Sequence, residues 1–121
     1  MHQQYDITLK DIIKDVPVNF LKLLTGFNTG KFIDAQFPDV RMRLPDLIIE
    51  TPDGSLEHLE IQSNNERMLG RMYLYSGLIF NQHKIMPHQT LLYVGNAPVR
   101  METIIRSGDN IFSYKLATYG T

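Results

Sequence analysis

The turn sequence TPDGS at 51–55 lies between two apolar runs of strand length and is the strongest local constraint on the fold. Proline, aspartate and glycine favour tight turns, and period-two alternation on both sides indicates strands. The segments LPDLIIE (44–50) and LEHLEIQS (56–63) are therefore predicted to form a β-hairpin. Pairing about this turn puts residues 46–50 opposite roughly 57–61, within a residue or two.

A helical region is predicted before the hairpin. Residues 7–25 carry apolar side chains at close to helical spacing. Pro17 is expected to split or kink this region, and Gly26 is expected to end it.

A second, longer helix is predicted after the hairpin, over 64–82. Its start is expected at a capping box formed by Ser63 and Glu66, with Asn64 or Asn65 as alternative caps. The residues that share its apolar face are Met68, Met72, Tyr75, Ile79 and Gln82.

The other segments are expected to extend a sheet. A strand is expected to enter near Val40, and 90–95 and 110–119 are also predicted strands. Residues 99–106 fit either a strand or a short helix. The order helix, hairpin, helix, strand, strand predicts an α/β sandwich in which helices flank a mixed β-sheet.

Composition narrows the class of protein. A chain of 121 residues fits one domain, 1–121, and its net charge of −1 excludes the global basic field of histone-like DNA binders. The absence of cysteine excludes disulfides, thiolate metal sites and a cysteine nucleophile, and it suits a cytoplasmic protein. The N-terminus does not read as a signal peptide, and no segment approaches the roughly 20 apolar residues of a membrane span, so no membrane partner is expected.

The second strand of the hairpin carries the candidate chemistry. Side chains alternate along a strand, so His58, Glu60 and Gln62 are predicted to share one face. Asp46 on the first strand is expected to reach Glu60 if the strands curve or one carries a bulge. Two carboxylates and a carboxamide form an oxygen-rich site of the kind that Mg2+ or Mn2+ prefers, and such an ion activates water against a phosphodiester.

Each of these side chains also has a simpler structural interpretation. Asp46 can bind turn backbone, and Gln62 can hydrogen-bond a neighbouring strand or helix end. Arg71 and Tyr75, four residues apart on a helix, can contact each other on the surface. His58 is expected to face solvent. A carboxylate at Glu60 is harder to explain structurally, because its apolar surroundings penalise an unpaired charge.

Two further Pro-Asp pairs compete with Pro45-Asp46 for the role of first acid. Pro38-Asp39 shows no strand alternation around it, and Pro52-Asp53-Gly54 is a turn. Both are therefore interpreted as structural.

The pattern Pro45-Asp46 followed by Glu60-Ile61-Gln62 resembles the signature of the PD-(D/E)xK nuclease superfamily, with Gln62 where the lysine usually stands. The stretch 43–75 is similar to its recombination-promoting nuclease and transposase-like branch. That branch has an arginine three residues before the aspartate, as in Arg43, and an E-x-Q-S strand. A helix with an R-M-x-x-Y run follows the strand, and here Arg71, Met72 and Tyr75 match it. Asp6 and Lys10 match an acid and a lysine that begin the first helix of this branch.

The resemblance implies a restriction-endonuclease-like core with elements in the order αβββαβ. It implies a metal-dependent endodeoxyribonuclease linked to recombination or mobile elements, with DNA as partner and with a homodimer as a compatible assembly. Asp46 and Glu60 would hold Mg2+ or Mn2+, and Gln62 would position water or a metal ligand. Asp6, Lys10, Arg71 and Tyr75 would support the site or contact phosphate.

Two departures from the branch leave an alternative open. Glutamine cannot transfer a proton or carry positive charge at neutral pH, although glutamine is common at this position in the branch. Relatives of this kind also usually continue past the last strand, so this chain is expected to lack a C-terminal extension. The alternative function is a catalytically inactive relative that serves as a DNA-binding or oligomerisation module.

Overall fold

The pairing of two strands around the 51–55 turn organises the fold. The structure is a computed structural model that describes the backbone of residues 4–8 and 20 and the whole of residues 21–33 and 47–118. Its elements in chain order are β1 (Gln4–Thr8), α1 (Phe20–Thr25), β2 (Thr29–Ile33), β3 (Leu47–Glu50), β4 (Leu56–Gln62), α2 (Leu69–His83), β5 (His88–Tyr93), β6 (Ile104–Ser107), β7 (Asn110–Ser113) and β8 (Lys115–Thr118).

The predicted hairpin is confirmed over the residues described. Strands β3 and β4 pair antiparallel, with Leu47 opposite Leu59 and Glu50 opposite Leu56. The turn is closed by a backbone hydrogen bond from Thr51 N to Ser55 O, and Gly54 adopts the left-handed region with φ 88°. A glycine suits that position because a side chain would be strained there.

A six-stranded mixed sheet is built outward from this hairpin in the order β1-β2-β3-β4-β5-β8. Neighbours from β1 through β4 are antiparallel, whereas β4, β5 and β8 are parallel. Helix α2 connects the parallel pair β4 and β5, as a crossover between parallel strands requires.

The two helices in the described residues cover opposite faces of the sheet. Leu21 of α1 packs with Ile49, Leu59 and Leu92, whereas Met72 of α2 packs with Leu91 in a separate cluster. Successive residues of one strand therefore enter different cores, as Leu91 and Leu92 do. The predicted α/β class with a mixed sheet between helices is confirmed.

The predicted helix over 7–25 is wrong at its start. Ile7 and Thr8 belong to β1, where they pair with Gly30 and Thr29 of β2, and the described end of the region forms a helix, α1. The segment 9–19, with Pro17, lies outside the described residues. Sheet pairing with a strand more than twenty residues later decides the conformation of 4–8, and local periodicity carries no information about that partner.

The strands predicted elsewhere are partly confirmed. Residues 90–95 overlap β5, 99–106 ends in the strand β6, and 110–119 divides into β7 and β8. Strand β2 was not predicted, and the strand expected near Val40 falls outside the described residues.

Helix α2 begins later than predicted, so the capping-box prediction is wrong. The helix starts at Leu69, with Met68 as its N-cap and no side-chain capping hydrogen bond. Upstream, the Asn64 side-chain oxygen accepts a hydrogen bond from the backbone N–H of Glu66. Such local side-chain bonds offer the backbone an alternative to the helix. The predicted apolar face is confirmed at Met68, Met72, Tyr75 and Ile79, which are all buried.

The strands β6 and β7 form a separate two-stranded hairpin beside α2. Phe112 of β7 meets Tyr73 of α2 edge to face, with ring centroids 5.1 Å apart. Tyr114, between β7 and β8, donates a hydrogen bond to the carbonyl oxygen of Glu102 at 3.0 Å. Within the described ranges, no helix has the length and apolarity needed to cross a membrane.

Candidate functional site

The carboxylate of Glu60 lies buried beneath α2. Glu60 is 1% exposed and sits in the middle of β4, opposite Leu91 of β5. Its Oε2 lies 2.8 Å from Nε2 of His58, which precedes it by two residues and shares its face. The sequence prediction that these residues share a face is therefore confirmed, whereas the prediction that His58 faces solvent is wrong. His58 is buried because α2 covers this face of the strand.

The hydrogen bonds around His58 define which of its nitrogens carries a proton. The amide nitrogen of Gln89 donates to the carbonyl oxygen of Met72 at 2.8 Å and lies 3.0 Å from Nδ1 of His58. An amide nitrogen only donates, so Nδ1 must accept. His58 then carries its hydrogen on Nε2 and donates it to Glu60. Gln89 thus ties α2, β4 and β5 to the carboxylate.

Tyr75 completes the wall around this pair. The residue is fully buried on α2, and its ring meets the imidazole of His58 edge to face with centroids 5.4 Å apart. Tyr75 therefore supports Glu60 through His58.

Gln62, at the end of β4, is the next residue on the same face. Its amide nitrogen donates to Oδ1 of Asn64 at 2.9 Å and to Oε2 of Glu66 at 3.1 Å, which uses both amide hydrogens. These bonds fix the orientation of the carboxamide. The carboxamide oxygen Oε1 is an acceptor, a group that can bind a metal ion or receive a hydrogen bond from water.

Arg71 is held by Glu66, the acidic side chain that also binds Gln62. One terminal nitrogen of Arg71 lies 2.9 Å from Oε1 of Glu66, so Glu66 bridges Gln62 and Arg71. The other terminal nitrogen, Nη1, is buried and finds no hydrogen-bond partner among the described residues.

The first acid of the predicted pair, Asp46, lies outside the described residues, as does Lys10. The observed register ends with Leu47 opposite Leu59, one residue short of Asp46 and Glu60. In residues 4–8, 20–33 and 47–118, no group of three or more His, Asp, Glu or Cys side chains is arranged to hold a metal.

The prediction that Asp6 begins a helix is wrong. Asp6 lies in the edge strand β1, opposite Lys31 of β2, because residues 4–8 pair with β2 and so form a strand. Strands β2 and β3 lie between it and β4 in the sheet.

The turn residue Asp53 is confirmed as structural. Hydrogen bonds from the Thr51 hydroxyl, and from the backbone N–H and hydroxyl of Ser55, lower the pKa of Asp53 to about 2. Its carboxylate thus stabilises the turn that sets the register of the hairpin.

A cavity of about 490 Å3 opens at the start of α2. Arg67 and Arg100 line it together with Asn65, whose side chain holds the 98–100 segment by bonds to Pro98 O and from Arg100 N. Arg67 is almost fully exposed and lies 4.0 Å from the exposed carboxylate of Glu102, a separation and exposure at which an ion pair is weak. Glu102 also lines the cavity, which therefore presents two cations and one carboxylate beside the start of α2.

Sequence reasoning missed His58, Gln89 and Glu66 as members of the site. For His58 a signal existed, since strand alternation already put it on the face of Glu60. Gln89 had none, because its role depends on the parallel pairing of His58 with Gln89.

Comparisons of the chain with protein-family profiles, with curated proteins and with solved structures returned no match in any of the three.

Proposed function

We propose that the chain is a divalent-metal-dependent endonuclease domain that hydrolyses DNA phosphodiester bonds. The observation that carries the proposal is the buried Glu60 carboxylate, held by His58 on the same face as Gln62. A buried carboxylate with a fixed orientation is costly to maintain, and metal coordination is a common reason for that cost. The link to recombination or mobile elements rests on the sequence resemblance alone.

The order of elements supports the proposal. Among the described elements, the run α1, β2, β3, β4, α2, β5 has the αβββαβ order that the resemblance implies. Its three strands β2 to β4 are antiparallel neighbours, and β5 is parallel to β4. A restriction-endonuclease-like core is therefore proposed for this part of the chain, with β1 and β8 added at the two edges.

The donor chemistry fits Mg2+ or Mn2+. A carboxylate has two oxygens that each accept more than one bond, so Glu60 can bind a metal ion while it accepts the hydrogen bond from His58. We propose that Glu60 and Asp46 hold the ion and that Oε1 of Gln62 orients a ligand water or binds the ion directly. A divalent ion there would polarise the phosphodiester and lower the pKa of an attacking water.

Gln62 then takes over only part of the role of the missing lysine. Its two bonds to Asn64 and Glu66 hold the amide group in place, so it can orient a water molecule through its oxygen. It cannot supply charge or a proton. Positive charge would come from arginines, and Arg67 and Arg100 beside the start of α2 are proposed to meet DNA phosphates. These two arginines would supply locally the positive charge that the chain as a whole, with a net charge of −1, does not have. The same role was predicted for Arg71 and Lys10, and the carboxylate of Glu66 already offsets part of the charge of Arg71.

The direct test is nicking of supercoiled plasmid with Mg2+ or Mn2+, comparing the wild type with Glu60→Ala and Glu60→Gln. The expected result is metal-dependent nicking that EDTA stops and that both variants lose by at least about 100-fold. Glu50→Gln, on the neighbouring strand β3, serves as the matched carboxylate control and should retain activity. Equal nicking by Glu60→Gln and the wild type would overturn the assignment.

A second candidate function follows from the way Gln62 is held. Because both amide hydrogens of Gln62 and one nitrogen of Arg71 are bound within the chain, the site also fits a catalytically inactive DNA-binding or oligomerisation module. DNA binding in EDTA that is unchanged in Asp46→Asn, without nicking under any metal condition, would favour this alternative.

A further inference from the structure

A second buried carboxylate lies on the opposite face of β4. Glu57 is three residues before Glu60 and 4% exposed, and its neighbours across the sheet are Ile49 of β3 and His88 of β5. This places it on the α1 side, away from the His58–Glu60 pair. The proposed nuclease site makes no use of it.

Glu57 lines a cavity of about 630 Å3, within the size range of small-ligand sites. The cavity is bounded by the end of α1, by the 51–55 turn, and by the beginnings of β5 and β8. Its polar and charged lining includes Asp53, His88, Thr90, Ser113 and Lys115.

The carboxylate oxygen Oε1 of Glu57 is buried, and no hydrogen-bond partner for it is found in the described parts of the chain. Leaving such an acceptor unsatisfied costs about 1 to 3 kcal/mol, and more if the group is charged. A cationic donor entering the cavity would recover that cost. The buried acceptor is thus an observation independent of the cavity's shape.

We propose that this cavity binds a small organic cation with a primary ammonium group, which pairs with Glu57. Two acids, Glu57 and Asp53, face one lysine, Lys115, so the cavity disfavours anions. The described residues offer no group of three acids or histidines suited to a metal ion. The hydroxyl-bearing residues Thr90 and Ser113 line the same cavity and offer further acceptors for an ammonium group, which has three hydrogens to donate.

The protonation of Glu57 gives the proposal a pH signature. Burial raises the pKa of Glu57 to about 7; the charge of Asp53 raises it further, and Lys115 opposes the shift. His88 is the other titratable side chain that lines the cavity. An ammonium ion binds the ionised carboxylate, so affinity should rise as Glu57 loses its proton. Between pH 6 and pH 8 the ionised fraction rises from about a tenth to about nine tenths, which predicts a roughly tenfold gain in affinity.

The test is isothermal titration of the chain with n-butylamine hydrochloride at pH 6 and pH 8, with 1-butanol as the uncharged probe. The amine should bind about ten times more tightly at pH 8, and the alcohol should not bind. Glu57→Gln should abolish amine binding while keeping a cooperative thermal melt, and Glu50→Gln should bind as the wild type does. Glu57→Asp, which keeps the charge but shortens the side chain, should bind more weakly than the wild type and more tightly than Glu57→Gln.

Three outcomes would overturn the proposal. They are absence of amine binding at pH 8 by the folded wild type, equal binding by Glu57→Gln, and equal binding of the alcohol. None of them bears on the nuclease proposal, because the two carboxylates lie on opposite faces of β4.

Discussion

The Nε2 of His58 lies 2.8 Å from Oε2 of Glu60, and both side chains are buried between β4 and α2. The hydrogen bond links residues two apart on one strand, so the strand itself sets their spacing. Gln89 holds the far nitrogen of the imidazole, and Tyr75 packs against its ring. Glu60 is therefore held in place by three elements before any ligand arrives, and this arrangement would favour metal binding by reducing the ordering that binding requires.

Replacing His58 tests how far the fold depends on this pair. His58→Ala should lower the free energy of unfolding by about 3 kcal/mol, because it removes both the bond to a buried carboxylate and the packing against Tyr75. Urea denaturation measures the change. His88→Ala, at an exposed position on β5, should change stability by less than about 0.5 kcal/mol. A loss for His58→Ala as small as that of the control would contradict the assigned hydrogen bond.

Gln89 should act together with His58. Gln89→Ala removes the bonds to Nδ1 of His58 and to Met72 O and should cost about 1 to 3 kcal/mol. In a double-mutant cycle with His58→Ala, the two losses should fail to add by at least about 0.5 kcal/mol. Strict additivity would show that the two side chains do not form one network.

The pH dependence of stability should contain a term from Glu57. Its pKa is raised from 4.5 to about 7, chiefly by burial, so the folded state holds more protons than the unfolded state between these values. Stability should therefore fall as pH rises from 4.5 to 7 and should level off above pH 7. The total decline should be at most about 3 kcal/mol, and solvent screening reduces it. Urea midpoints for the wild type and Glu57→Gln across this range measure the term. The variant should lose most of the decline, whereas the exposed Glu102→Gln should keep it; an unchanged slope in Glu57→Gln would refute the assignment.

A feature of the fold or of the candidate site could be predicted when the residues that determine it lie close together in the sequence. The hairpin and the common face of Glu60 and Gln62 follow from the turn sequence and from strand alternation, which are both local. The burial of His58 depends on where α2 packs, and the strand at 4–8 depends on a partner at 29–33. Neither feature can therefore be predicted from the residues next to it in the sequence. The late start of α2 reflects the competing bonds of Asn64, which a capping pattern alone does not reveal.

The arginines beside α2 should contribute to DNA affinity without sequence preference. The double substitution Arg67→Ala with Arg100→Ala should weaken binding to duplex DNA and should reduce the slope of log affinity against log salt by about 2. Arg106→Ala, on the exposed strand β6, is the matched control and should change the slope by less than 1. Fluorescence anisotropy over a salt series measures both. An unchanged slope in the double variant would show that Arg67 and Arg100 do not contact DNA phosphates.

Binding of a divalent ion by Asp46 and Glu60 together is tested most directly by thermal melts with and without Mn2+. The wild type should gain melting temperature with increasing Mn2+, since an ion that binds only the folded state stabilises it. Asp46→Asn and Glu60→Gln should each lose that gain, whereas Asp53→Asn, which alters only the turn acid, should melt lower yet keep it. If Asp46→Asn or Glu60→Gln gains as much from Mn2+ as the wild type does, the two-carboxylate metal site does not exist.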